Sequence, residues 1–211
     1  MPVKNKLRRT PRPYRSPRRD AAAEATRSRI IAAACALLAG GGKGPFSLEA
    51  VARKARVTRL TVYNHFDSKG GLMEAVFDDL AQRGGLFELA AVFSKPDPDQ
   101  GLRLLVSAFC RFWTMHGAIL PNFRGAILAD AELTASLKQR AERRREGLTV
   151  LVGRMMRDPG RRGADLVDVL FALTSFEMFE ALRVRNRSAE AVEALIQAMA
   201  ESAVERYRAG R

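Results

Sequence analysis

Cysteine, histidine and tryptophan are nearly missing from this chain, which has two, two and one of them in 211 residues. Cys35 and Cys110 each fall inside an apolar helical pattern. They read as reduced core residues of a cytoplasmic protein, not as a disulfide framework. Two histidines and two isolated cysteines are too few for a transition-metal site, so no metal is expected. Cys110 and His116 are six positions apart, about 120° around a helix, and do not share a face. HExxH, a glycine-rich phosphate loop, a nucleophile elbow and Cys-x-x-Cys are all absent, so neither catalytic residues nor a cofactor are expected. No apolar run reaches the ~18 residues of a membrane span. The charged start of the chain has no apolar stretch behind it, as a secretory signal would. Long two-residue alternation is also lacking, which argues against a β-rich class. We find no internal repeat.

What is present is helical. Hydrophobic residues make up 47% of the chain, enough for a real core, and aromatics only 7%. Alanine, leucine, glutamate and arginine are plentiful, so all-α is the natural class. The formal charge of +13 is uneven. Residues 1–19 hold eight basic groups and no acid, residues 20–84 nine and seven, and residues 85–211 nineteen and sixteen. The first 19 residues also contain four prolines and almost no apolar side chain. They cannot bury enough surface to fold alone and are expected to be a disordered basic arm. Such an arm follows phosphates or enters a minor groove; the other reading is a solubilising tail.

The stretch 47–69, SLEAVARKARVTRLTVYNHFDSK, organises the rest. Ser47 is a helix N-cap, and Glu49 lies near the positive helix end. Leu48, Val51 and Ala52 share one face. Residues 55–57 have the length of a tight turn between two helices. Thr58 caps the next helix, and Val62 and Phe66 turn inward. Arg59, Leu60, Thr61, Tyr63 and Asn64 are left outward or partly so. Packing explains that mixture poorly; a face that meets DNA explains it well. Arg59 stands at the helix start, where a forked side chain can take both acceptors of a guanine. Thr61 suits a thymine methyl or a phosphate. Leu60 suits a thymine methyl or simply covers the turn. Asn64 and His65 suit phosphates. Lys69 opens a further helix, where its charge joins free amides.

The run Val51-Ala52, Ala55, Val57-Thr58, Thr61-Val62-Tyr63, His65-Phe66, Ser68-Lys69, Leu72 resembles the DNA-binding domain of TetR-type (tetracycline-repressor-like) regulators. The resemblance covers residues 30–77 once the first helix is included. Two positions depart from the family pattern. Arg56 replaces a glycine, with strain of about 1 kcal/mol if its φ is positive. Gly70-Gly71 replaces an acidic, helix-forming pair and is expected to loosen the next helix by about 1 kcal/mol per glycine. The resemblance implies an N-terminal three-helix helix-turn-helix domain with a connecting fourth helix over residues 20–84. It implies a ligand-binding and dimerisation domain over residues 85–211, with about nine helices in all. It also implies that Ser47 and Tyr63 meet phosphates, that Thr58 lies at the DNA face, and that the fourth helix carries ligand state to the reader; capping alone is the other reading of Ser47, and a half-buried core aromatic that of Tyr63. The last two helices would form a homodimer interface.

Helices are expected over residues 21–39, 68–83, 86–93, 100–116, 121–129, 131–156, 164–184 and 188–208. The helix 164–184 is apolar nearly all round, so spare surface is expected to meet an identical chain. Candidate ligand residues are Phe109, Phe112, Trp113, His116, Phe123, Ser175, Phe176 and Phe179, and ordinary core is the other reading of each. Arg140 and Arg143-Arg144-Arg145, interleaved with Glu142 and Glu146, read as a solvated face, with an acidic ligand as the second reading. The expected function is a sequence-specific DNA-binding transcriptional regulator, a repressor released from a palindromic operator by a small hydrophobic ligand. Its partners would be double-stranded DNA, a second copy of the chain and a small-molecule effector, with no membrane. The alternative is a helical ligand-binding or adaptor protein that does not read DNA.

Overall fold

The computed structural model describes residues 17–40, 46–128, 131–156 and 160–209. All regular structure in these residues is helical. Local signals set the first four helices. α1 (Pro17–Ala39) opens on a proline, whose missing N–H costs nothing there, and has Asp20 in its first turn. Arg18 and Arg19 therefore stand on a helix, and the rest of the expected arm lies outside the described residues. α2 (Leu48–Ala55) starts at Ser47, whose Oγ accepts from the Ala50 N–H at 3.2 Å. α3 (Arg59–Phe66) starts at Thr58, whose Oγ1 accepts from the Thr61 N–H at 3.0 Å. α4 (Lys69–Arg83) starts at Ser68, whose Oγ accepts from the Gly71 N–H at 2.9 Å.

The two departures from the family pattern differ in their consequences. Arg56 ends α2 in the left-handed region, at φ 55° and ψ 47°. The Val57 N–H then reaches back to the Ala52 carbonyl at 3.0 Å, closing the helix in a Schellman pattern. Glycine would hold this position without strain. Gly71 is not the loose point expected. A Cβ there would stand 2.1 Å from the Phe66 carbonyl oxygen. Its missing side chain lets α4 start directly against the end of α3.

Beyond α4 come a 3-10 turn (Leu86–Leu89), α5 (Ala90–Phe93), α6 (Pro98–His116), α7 (Leu120–Leu128), α8 (Ala131–Met155), α9 (Gly160–Leu173), α10 (Phe176–Leu182) and α11 (Ala189–Ala209). The described residues thus hold eleven α-helices where about nine were expected. The difference includes the segment 164–184, which is two helices and not one. Ser175 breaks it: its Oγ accepts from the Met178 N–H at 3.1 Å and donates to the Ala172 carbonyl at 2.7 Å. α9 also buries more than expected, with Leu166, Val167, Leu170 and Leu173 inside its own subunit. Val169 and Ala172 remain exposed.

Two apolar cores form. The first joins α1–α4 to Phe112, Leu120, Phe123, Ile127 and Leu133, so it does not stop at α4. The second joins Val92 and most of α6 to α8, α9, α10 and α11. α6 serves both, giving Phe112 to the first and Phe109 to the second. Among the described residues no single helix is long and apolar enough to cross a membrane.

Arg56→Gly should raise the stability of the fold, by no more than about 1 kcal/mol, because relief of the left-handed strain outweighs the extra freedom glycine gives the unfolded chain. Gly71→Ala should lower it. Urea unfolding checks both; matching midpoints for wild type and both variants would remove the backbone argument.

Candidate nucleic-acid interface and ligand cavity

α3 buries only Val62 and Phe66. Leu60 is 67% exposed and Tyr63 55%, unusual for large apolar or aromatic side chains. Thr58, Arg59 and Asn64 are exposed beside them; Ser47, Thr61, His65 and Lys69 are half-buried. The helix is held from behind. The Arg27 guanidinium of α1 lies 4.6 Å from the Phe66 ring centroid and donates to the His65 carbonyl at 3.1 Å. The hydroxyls of Thr58 and Thr61 are 2.8 Å apart, so Thr61 is steered by the cap as well. Among the described residues neither Arg59 nor Lys69 has an acidic partner at ion-pair distance. A short, capped helix with unspent Arg, Tyr and Asn side chains on one face has the form of a major-groove reader.

This arrangement defines a helix-turn-helix unit on a larger helical body. Within it, residues 30–76 match the family model of bacterial regulatory proteins, tetR family. A TetR-like transcriptional regulator from Rhodococcus sp. RHA1 superposes with a TM-score of 0.58 at 22% identity, over 88% of this chain and 97% of that one. A protein assigned to the TetR family from Mesorhizobium loti gives a TM-score of 0.54 at 23% identity, over 89% and 96% of the two chains. At such identities the likeness is one of fold. No curated protein matches the chain in sequence.

A cavity of about 610 Å³ lies between α4, the 3-10 turn and helices α5 to α10. Six residues expected at a ligand site line it: Phe109, Phe112, Trp113, Phe123, Ser175 and Phe176. His116 and Phe179 do not. Phe179 is fully buried in the second core. The walls also include Phe77 and Ala81 of α4 and Arg124, which the sequence did not point to, and Arg140, Arg143 and Arg144, for which an acidic ligand was the second reading.

The arginine run on α8 is not simply a solvated face. Arg144 stacks 4.1 Å from the Phe171 ring centroid and 5.3 Å from that of Phe109, and donates to the Thr174 carbonyl at 2.8 Å. Burial pulls its pKa down to about 10, against the attraction of Glu177 and with help from Arg145. One turn earlier, Arg140 pairs with Asp78 of α4 at 2.7 Å and lies 4.6 Å from the Phe77 ring centroid. The signal was present in the sequence: Arg140, Arg144, Leu148 and Leu151 recur at helical spacing on one face. Cys35 and Cys110 are both buried and free, and burial pushes the Cys110 thiol up to about 12.

His116 sits where α4 crosses α6. It is 4% exposed, edge-on to Phe112 with ring centroids 5.0 Å apart, and its Nε2 has no hydrogen-bond partner. A Cβ on Gly84 would lie 3.2 Å from that nitrogen. Burial is the main cause that holds the imidazole below its usual 6.5; the Leu80 carbonyl opposes it, Arg83 adds to it, and Asp79 opposes it. The folded pKa is lower than the unfolded one, so the unfolded chain binds more protons. Stability is full above 6.5 and falls as the pH drops through it towards the folded value. His116→Phe should therefore lose less of its urea midpoint than wild type between about pH 7.5 and about pH 5.5. Equal losses would show that the ring titrates as if in water.

Proposed function

We propose that the chain is a dimeric transcriptional regulator that reads a palindromic operator with α3, and that a small ligand in the cavity releases it, so that it acts as a repressor. The exposed Leu60 and Tyr63, held on a capped helix beside Arg59 and Asn64, are the observation that carries this reading. Arg59 is the base-reading side chain. Tyr63, Asn64, His65, Lys69 and Ser47 set the register on phosphates, and Thr58, Leu60 and Thr61 complete the face. Two copies are needed, because one short helix covers only a half-site and palindromy mirrors two-fold symmetry. Val169 and Ala172 on α9, with Ala191, Ala194, Leu195 and Ala198 on α11, form an exposed stripe for that contact.

Release follows from shared structure. Phe77 and Ala81 are cavity walls, and their helix, α4, starts directly against the end of α3. A ligand that fits better when α4 is displaced favours the state in which the two readers no longer match successive grooves. A tenfold loss of operator affinity needs only about 1.4 kcal/mol of such preference.

Selection of bound sequences from random duplex DNA, at defined salt, tests the reading. Wild type should enrich a palindrome. Arg59→Ala should relax the motif, at a cost of about 1–3 kcal/mol at its base pair, while Lys69→Ala should weaken all sites alike and reduce the salt slope. No enrichment by a folded dimer would turn the reading over to a protein that does not read DNA.

A further inference from the structure

We propose that the cavity takes a ligand with one carboxylate on an apolar body, and that Arg144 receives the carboxylate. This rests on the reading of the cavity as the effector site, and it replaces a purely hydrophobic ligand with an amphipathic anion. The body of the site is aromatic: Phe109, Phe112, Trp113, Phe123 and Phe176 wall it. The head is the guanidinium of Arg144, whose position is set by the break between α9 and α10. The break leaves the Thr174 carbonyl free to accept from both Arg144 Nη1, at 2.8 Å, and Trp113 Nε1, at 3.1 Å. That spends one corner of the guanidinium. Nε is buried with no acceptor, and Nη2 beside it has no partner among the described residues. Nη2–H is the donor left for a carboxylate oxygen, and Nε–H lies on the same edge of the guanidinium, so a shift of the side chain that opens Nε completes the side-on fork that a carboxylate accepts with its two oxygens.

The charge around the site agrees. Four arginines and one glutamate line the cavity. Arg124 pairs with Glu177, and Arg140 pairs with Asp78 from α4. Among the described residues Arg143 and Arg144 have no acid at ion-pair distance. A neutral ligand offers the two free donors, Nε–H and Nη2–H, at most a single carbonyl oxygen and leaves the excess positive charge unmatched. A carboxylate accepts from both with charge-assisted bonds and meets that charge. The cavity's 610 Å³ lies within the range of small-molecule sites. A bound carboxylate also stands one helical turn from Arg140, where it competes with Asp78 for that side chain and so acts on α4.

The sole tryptophan, Trp113, lines the cavity and reports its occupancy. Decanoate and 4-butylbenzoate are titrated into the full chain beside their neutral amides, decanamide and 4-butylbenzamide, with Trp113 emission and calorimetry as readouts. At least one acid should bind ~10–100-fold tighter than its amide, the range of a hydrogen bond to a charged group. Arg144→Met should erase that preference, and Arg143→Gln should keep most of it. Equal affinities of acid and amide in wild type, or no binding by either acid, overturns the proposal, whether or not Arg144→Met folds. A preference lost in Arg143→Gln and kept in Arg144→Met overturns the assignment to Arg144. No DNA enters these titrations, and operator affinity is measured separately. Acid binding without any change in operator affinity would refute release and leave the ligand class standing; release by amide and acid alike would do the reverse.

Discussion

α4 is pressed against α6 at a position with no side chain. A Cβ on Gly84 would stand 2.4 Å from Cδ2 of Phe112 and 3.1 Å from the Leu80 carbonyl. The close approach lets Phe112 serve the first core and wall the cavity at once. It also buries His116 without a partner for Nε2, a cost carried at the crossing of the two helices. At its other end α4 meets α3 through Gly71, again by absence of a side chain. One helix with two bare contacts therefore joins the exposed face of α3 to the cavity. Neither end has slack, because a close-packed contact has few intermediate positions.

Arginine over phenylalanine ties distant segments together. Arg27 of α1 covers Phe66 of α3, Arg140 of α8 covers Phe77 of α4, and Arg144 of α8 covers Phe171 of α9. Each such contact is worth about 0.5–2 kcal/mol, more where water is excluded. In each the guanidinium also makes a polar contact: His65 carbonyl, Asp78 carboxylate, Thr174 carbonyl. Arg144 alone combines a buried, unpaired nitrogen with a place on the cavity wall. The chain's large excess of arginine is thus partly structural and not only an attraction for polyanions.

What is set locally was legible. Ser47 and Thr58 cap the helices expected of them, and Ser68 caps α4 in the same way, since a hydroxyl reaches an amide three positions on without help from elsewhere. The outward mixture on α3 was readable for the same reason. What depends on distant contacts was not. The apolar run through 164–184 hides a break made by Ser175, because hydrophobic periodicity continues across it. Gly71 reads as a weak helix former until the Phe66 carbonyl is placed beside it. Arg144 sits among glutamates that suggest water, yet its side chain turns in over Phe171. His116 and Phe179 lie on aromatic-rich helices but face away from the cavity, a distinction that helix rotation decides and composition does not.

Operator affinity in the Gly84→Ala variant tests the coupling through α4 most directly. Gly84 lies outside α3, and the atoms a Cβ there would meet are those of the α4–α6 contact, Phe112, Leu80 and His116. Gly153→Ala is the control, since nothing lies within 4 Å of a Cβ there. With the duplex selected by wild type, Gly84→Ala should shift affinity about tenfold or more, equivalent to about 1.4 kcal/mol, and Gly153→Ala should not. Wild-type affinity in a folded Gly84→Ala dimer would contradict the coupling and leave reader and cavity as independent parts.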